Sequence, residues 1–226
     1  MSLARRVANA FGRRCQDGIV RKELFCLPSP KHIMRALCFE RSNFDKTGCY
    51  VWCFFMLPAC GEEDINLSNG FRFRRDGNDG IWSADESDVS RLLQEFRTTG
   101  ERFFGQVGSL EGIAQYLRQK GPLRILTLRQ QEMLFYCCLL QHKYQDGLQV
   151  SDHLLQGLDR AIETNSFGAR AEGCVMDWRV DLRNRVNETS CLLRDGKWDA
   201  VGRTLLENEA RTYRNLSWPM ACIDKD

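Results

Sequence analysis

The sequence predicts an α+β fold: an antiparallel meander sheet of four or five strands, packed against an N-terminal helix and a C-terminal helical bundle. Apolar residues between Ile19 and Trp82 tend to alternate with a period of two, the strand signature. From Ser83 onward they recur with a period near 3.6, the helical signature. Between Gly48 and Pro58 lies the uncharged aromatic run Cys49 to Leu57. It is too short for a membrane-crossing helix, which needs about 20 residues, and its aromatic and β-branched content reads as a strand. Tyr50, Trp52 and Phe54 fall on one face of that strand; Cys49, Val51, Cys53 and Phe55 fall on the other. Both faces are apolar, so the strand is expected at the centre of a sheet covered on both sides.

At the start of the chain, Leu3, Val7, Ala10 and Phe11 stand at helical spacing in a segment rich in arginine, Arg5, Arg6, Arg13 and Arg14, which predicts an amphipathic first helix. After the Asp17-Gly18 turn, Ile19 to Leu27 reads as a strand, with Arg21, Lys22 and Glu23 suited to an edge. Pro28-Ser29-Pro30 forces a break, because proline donates no ladder hydrogen bond and restricts its predecessor. His32 to Arg41 is a second strand, with Met34, Ala36 and Cys38 on one side and Ile33, Leu37 and Phe39 on the other. The short polar turn Asn43 to Gly48 favours antiparallel pairing with the central strand, since parallel neighbours need a crossover of a dozen residues or more. Gly61 to Gly70 is an acidic loop carrying Glu62, Glu63 and Asp64. Phe71 to Arg75 alternates, with Phe71 and Phe73 inward and Arg72 and Arg74 outward. The turn-rich Asp76 to Gly80 then predicts a hairpin whose return strand begins at Ile81-Trp82.

In the helical part, Ser83 and Glu86 match a capping box, and Val89, Leu92, Leu93 and Phe96 form the stripe behind it. Gly100, Gly105 and Gly108 are expected to interrupt the next segment. Ser109 can cap a helix through Ile113, Tyr116 and Leu117, stopped at Gly121-Pro122. Thr127 and Gln130 match a second capping box, and the helix behind it is apolar nearly all round from Met133 to Leu140, so it is expected to be buried. Asp146-Gly147 is expected to end it. Val150 to Ile162, Glu172 to Leu193 and Trp198 to Leu216 read as further helices. Two Asp-Gly pairs, 146–147 and 195–196, each precede a helix with paired leucines, 49 positions apart, a hint of stacked helical hairpins. Organisation into a sheet portion, 1–83, and a helical portion, 84–226, sharing one core is the expectation.

Composition excludes several function classes. The chain has 226 residues, 43% hydrophobic and 27% charged, the range of an ordinary globular protein. Its 32 basic and 30 acidic side chains leave a net charge of +2, so it is no polycation and nucleic acid is disfavoured as a partner. Residues 1–82 carry 13 basic and 9 acidic groups and the remainder 19 and 21, too even a balance to select a ligand. The 11 cysteines mostly sit in apolar stretches without the even spacing of a secreted disulfide framework, which predicts reduced thiols in a cytoplasmic protein without membrane attachment.

No catalytic signature is present. Structural zinc needs four ligands, usually in close pairs; Cys49 and Cys53 share a strand face, but the chain has no matching second pair. A nucleophilic cysteine needs a nearby base and an accessible electropositive setting, and His142 and His153 supply none by spacing alone. Neither a phosphate-binding glycine loop nor a complete calcium loop occurs. No metal and no cofactor is therefore expected. Arg72, Arg74, Arg75 and Trp82 are the candidate binding residues, because arginine beside an exposed aromatic is a common interface combination.

Residues 19–82 also carry Leu27-Pro28, Phe39-Glu40, Tyr50-Val51-Trp52, Leu57-Pro58 and Gly70-Phe71-Arg72. In these the segment resembles an uncharacterised group of small bacterial α+β proteins that includes immunity-type proteins of toxin systems. The resemblance implies a non-catalytic protein that binds another protein, either a cognate toxin that it occludes or a subunit of a complex. The rival reading is an enzyme or nucleic-acid-processing protein whose site assembles from scattered residues such as His32, His142, His153 and Glu62. A pocket where two of these converge would favour it.

Overall fold

The computed structural model describes residues 1–226 except 43–46, 62–63, 76–79, 166–177 and 224–226. The fold is α+β, and the chain forms two compact units: Met1–Gly112 with Glu209–Asp226, and Ile113–Asn208. Among the described residues no helix is long and apolar enough to cross a membrane.

The first unit is built on an antiparallel sheet of β1 (Ile19–Arg21), β2 (Leu24–Leu27), β3 (Met34–Arg41), β4 (Cys49–Met56), β5 (Gly70–Arg72) and β6 (Ile81–Trp82). Strands β1 to β5 lie in chain order, and β6 also pairs with β4. The single strand expected over Ile19 to Leu27 is instead a hairpin, with Arg21 opposite Leu24 and Lys22 at φ 51° in its tip. The charged triplet that suggested an edge therefore makes a turn. A second correction concerns Ile81-Trp82. They do not return along β5: Trp52 faces Arg72 and Cys53 faces Phe71, whereas Cys49 faces Trp82 and Tyr50 faces Ile81. β5 and β6 thus run in one direction along the same edge of β4. Gly70 allows the approach, since a Cβ there would lie 2.2 Å from Cys53 O.

Strand alternation sorts the core into two layers. Phe25, Leu37, Phe39, Val51, Cys53 and Phe55 share one face, all buried. Helix α1 (Leu3–Gly12), capped by Ser2, packs over it: the Phe11 ring lies 5.1 Å from Phe25, 6.0 Å from Phe39 and 5.6 Å from Phe96. α2 (Glu86–Glu95) and α3 (Glu101–Gln106) complete the cover. Gly100 and Gly105 do not break this segment as expected, since a π-helical stretch, Phe96–Gly100, joins α2 to α3, whereas Gly108 does lie in the break after α3. A Cβ on Gly100 would sit 2.8 Å from the Phe96 ring and 3.2 Å from the Phe73 ring, so the glycine lets these aromatics close on the helix. The expected Ser83–Glu86 box is absent, because α2 begins later than that box requires, after Asp85, and Asp88 accepts from Ser83 N instead (3.0 Å).

On the opposite face, Leu24, Cys26, Met34, Ala36, Phe54 and Met56 pack against Trp218 and Cys222, with Ile65, Tyr213 and Leu216 at the margin. The cover is the end of α8 (Trp198–Asn215), held by Thr212 Oγ1 donating to Pro58 O (2.9 Å), and the segment after it, held by Cys222 O accepting from Ser29 N (2.8 Å).

The second unit holds α5 (Leu128–Leu140), α6 (Tyr144–Asn165) and α7 (Trp178–Arg194), with parts of α4 (Leu110–Gln119) and α8. Ser109 Oγ accepts from Gly112 N at the start of α4 (3.0 Å), and the Thr127–Gln130 capping box forms as predicted. α5 is buried from Gln130 to Leu139, and its Glu132, 1% exposed, is held by Arg129 (2.9 Å) and Arg185 (3.1 Å). Asp146-Gly147 does not end α5; it lies in the first turn of α6. The turn is Gln141 to Lys143, where the backbone N–H of Lys143 donates to Cys138 O (2.8 Å), that of His142 to Leu139 O (3.0 Å), and His142 takes φ 58°. The same pattern, a Schellman stop, recurs 54 positions on: Lys197 N to Leu192 O (2.9 Å), Gly196 N to Leu193 O (3.1 Å), Gly196 at φ 68°. Each stop leads through a lysine to an aromatic that opens the next helix, and those rings, Tyr144 and Trp198, stack at 4.6 Å. The two turns match in this register, not at the 49-residue spacing. The start expected for α7 at Glu172 lies outside the described residues.

Candidate protein-binding face

The four residues singled out by sequence do not form one surface. Trp82 is 1% exposed, its N–H 3.5 Å from Phe73 O, on the face covered by α1 and α2. It cannot anchor a partner while the unit is folded. The reason is register: Trp82 faces Cys49, whose side of β4 is the buried one. Arg75 is also committed, its two terminal nitrogens 2.8 and 3.0 Å from the buried carboxylate of Asp88. Arg74 is exposed. Arg72 lies on the face opposite Trp82 and is the centre of a different group.

That group is a ladder across β3, β4 and β5. Register places Glu40 opposite Tyr50, Cys38 opposite Trp52, and Trp52 opposite Arg72, so all five side chains share one face. The indole N–H of Trp52 donates to Glu40 Oε2 (2.8 Å). The Arg72 guanidinium lies 4.6 Å from the centroid of Tyr50 and 5.9 Å from that of Trp52, within cation–π range. Tyr50, Trp52 and Arg72 are half-buried, whereas Phe54 and Met56 further along the same face are fully covered. The central strand is therefore covered on both sides at its C-terminal end and open on one side at its N-terminal end. Stacking on two rings fixes the guanidinium, yet among the described residues no hydrogen bond or ion pair uses its donors. An arginine has five such donors in a planar fork. Here they are both oriented and unspent.

Sequence reasoning missed Tyr50, Trp52 and Glu40 as surface residues because the run around them is uniformly apolar. The signal was available in the neighbouring strand. Glu40 and Arg41 end β3, and antiparallel pairing sets them against Tyr50 and Cys49, which marks that end of the face as reaching water.

Each histidine is engaged by a different neighbour within its own unit. His32 Nδ1 donates to Glu209 Oε1 (2.6 Å) from a left-handed backbone, φ 69°. His142 Nδ1 is hydrogen-bonded to Tyr144 Oη (2.7 Å), and His153 Nδ1 donates to Gln131 Oε1 (3.1 Å). Glu62 lies outside the described residues. Buried thiols are poor nucleophiles here: burial pushes Cys26, Cys38 and Cys49 up to about 12 and Cys53 well above its ordinary value. Among the described residues no three His, Cys, Asp or Glu side chains are placed to hold a metal ion. No family model, curated protein or solved structure matches the chain.

Proposed function

We propose that this protein is a non-catalytic binding module that docks another protein on the open end of its sheet, through Arg72, Tyr50, Trp52 and Glu40. The observation that carries this reading is the Arg72 guanidinium, stacked 4.6 Å from Tyr50 with its donors unused. Tyrosine, tryptophan and arginine are the residues most often dominant in binding energy. Here the arginine is already held in one geometry, which lowers the ordering cost of association. The fork suits a carboxylate or paired carbonyls on the partner, and exposed Arg74 adds charge steering. The most specific form of the reading is an immunity-type protein that occludes a bacterial toxin.

The test is co-purification from native extract with the wild-type chain and with Arg72→Gln. A stoichiometric partner retained by the wild type and lost by more than tenfold in affinity in the variant supports the reading. Unchanged retention with intact folding refutes it. A negative result with both chains points instead to the rival enzymatic class.

A further inference from the structure

A cleft of about 740 Å³ opens on the same sheet face, within the first unit and beside Cys38, the cross-strand partner of Trp52. Its volume falls within the range of about 300–1,000 Å³ that small-molecule sites occupy. One part of its wall is apolar, made by Leu24, Cys38 and Trp218 among others. The rest carries Arg5, Arg21 and Lys22. We propose that this cleft binds a small amphiphile with an anionic head, its apolar body against Leu24, Cys38 and Trp218 and its head at Arg5, Arg21 and Lys22.

The three cations are the reason for an acidic head. All are exposed, Lys22 stands at the tip of the β1–β2 hairpin, and among the described residues none has a side-chain hydrogen bond or ion pair. The two acids in the wall, Glu23 and Asp64, do not engage them, and Glu23 already accepts from Ser2 Oγ (2.9 Å). A cationic ligand would meet net repulsion, and a neutral one would leave three charges unused. The apolar body is called for by the floor, where burial keeps the thiols of Cys26 and Cys38 neutral, with values near 12. They act as small hydrophobes. This proposal stands on residues other than Arg72 and Tyr50, so it and the partner-binding reading can fail separately.

Carboxylate and phosphate heads both satisfy this chemistry, and the experiment separates them. The full chain is titrated calorimetrically with decanoate, decyl phosphate, decanol and inorganic phosphate. One-to-one binding of a tailed acid at least tenfold tighter than decanol, with no binding of inorganic phosphate, supports the proposal, and the tighter of the two acids identifies the head. The variant Arg5→Gln/Arg21→Gln/Lys22→Gln changes only exposed residues and is expected to weaken the acids at least tenfold while leaving decanol unchanged. Cys38→Phe should obstruct the cleft and abolish binding, whereas Cys38→Ala, which keeps it open, should not. Equal binding of decanol and decanoate, equal affinity in the triple variant, or no binding of either tailed acid overturns the proposal. If Cys38→Phe fails to fold, the triple variant alone decides.

Discussion

Asp88 shows how one side chain redirects a reading made from composition. It is 5% exposed, accepts from Ser83 N, and pairs in two-pronged fashion with Arg75. Asp88→Ala would leave a buried N–H and a half-buried guanidinium without their acceptor. Urea denaturation is expected to show a loss of about 1–3 kcal/mol, with Arg75→Ala smaller because the arginine is partly solvated. The thiols give a pH dependence. Cys26, Cys38 and Cys49 titrate near 12 in the folded unit against an ordinary 9.0. The folded state therefore holds protons that the unfolded chain releases between those values. Their contribution to stability is full below about pH 9 and is lost as pH rises toward 12, so denaturant midpoints should show no change from this source between pH 7 and about pH 9 and a fall from there to pH 11. Among the cysteines of the described residues, exposed Cys191 is expected to react first with a thiol reagent at pH 8, and the buried ones only on unfolding. That cysteines in apolar stretches are buried was legible in the sequence. That Trp82 is buried and Trp52 half-exposed was not, because both stand in apolar surroundings and only cross-strand register separates them.

At the scale of elements, signals set within a few residues held in some places, as at Thr127, and not in others, as at Ser83, while strand partners were harder to read. The Thr127 cap is set by side chains three residues apart, and it forms as read. Thr127→Ala should lower stability by about 1 kcal/mol in thermal or chemical denaturation. Strand β4 was recognisable from its own nine uncharged residues, Cys49 to Leu57. Its partners were not all recognisable. The β1–β2 hairpin turns through Lys22-Glu23, without the glycine or asparagine that announces such turns. β6 looks like the return of a hairpin but occupies the same edge as β5. Continuity of the helical segment through Gly100 was hidden because glycine is a weak helix former, while its use here is close aromatic packing. Phe54→Ala, at 0% exposure between β3, β5 and the C-terminal segment, is expected to cost about 3–5 kcal/mol.

At the scale of the molecule, residues far apart in sequence finish the sheet unit. Trp218 and Cys222 cover Met34, Phe54 and Met56. Removing residues 217–226 should expose that face, seen as increased binding of a hydrophobic dye and a lower melting temperature; an unchanged melt would show that the segment contributes nothing. The sequence by itself determined the α+β class, the strand and helix periods, the central place of Cys49–Met56 and the buried helix Leu128–Leu140, because each rests on the spacing of apolar residues within one element. Only the tertiary structure decided which end of β4 stays open, that Arg72 rather than Trp82 belongs to that surface, and that Arg75 is tied to Asp88. It also placed residues 215–219 in the wall of a cleft that Arg5, Arg21 and Lys22 line as well. These outcomes depend on strand register and on contacts across nearly 200 residues, such as Cys222 with Cys26, and no local period encodes them.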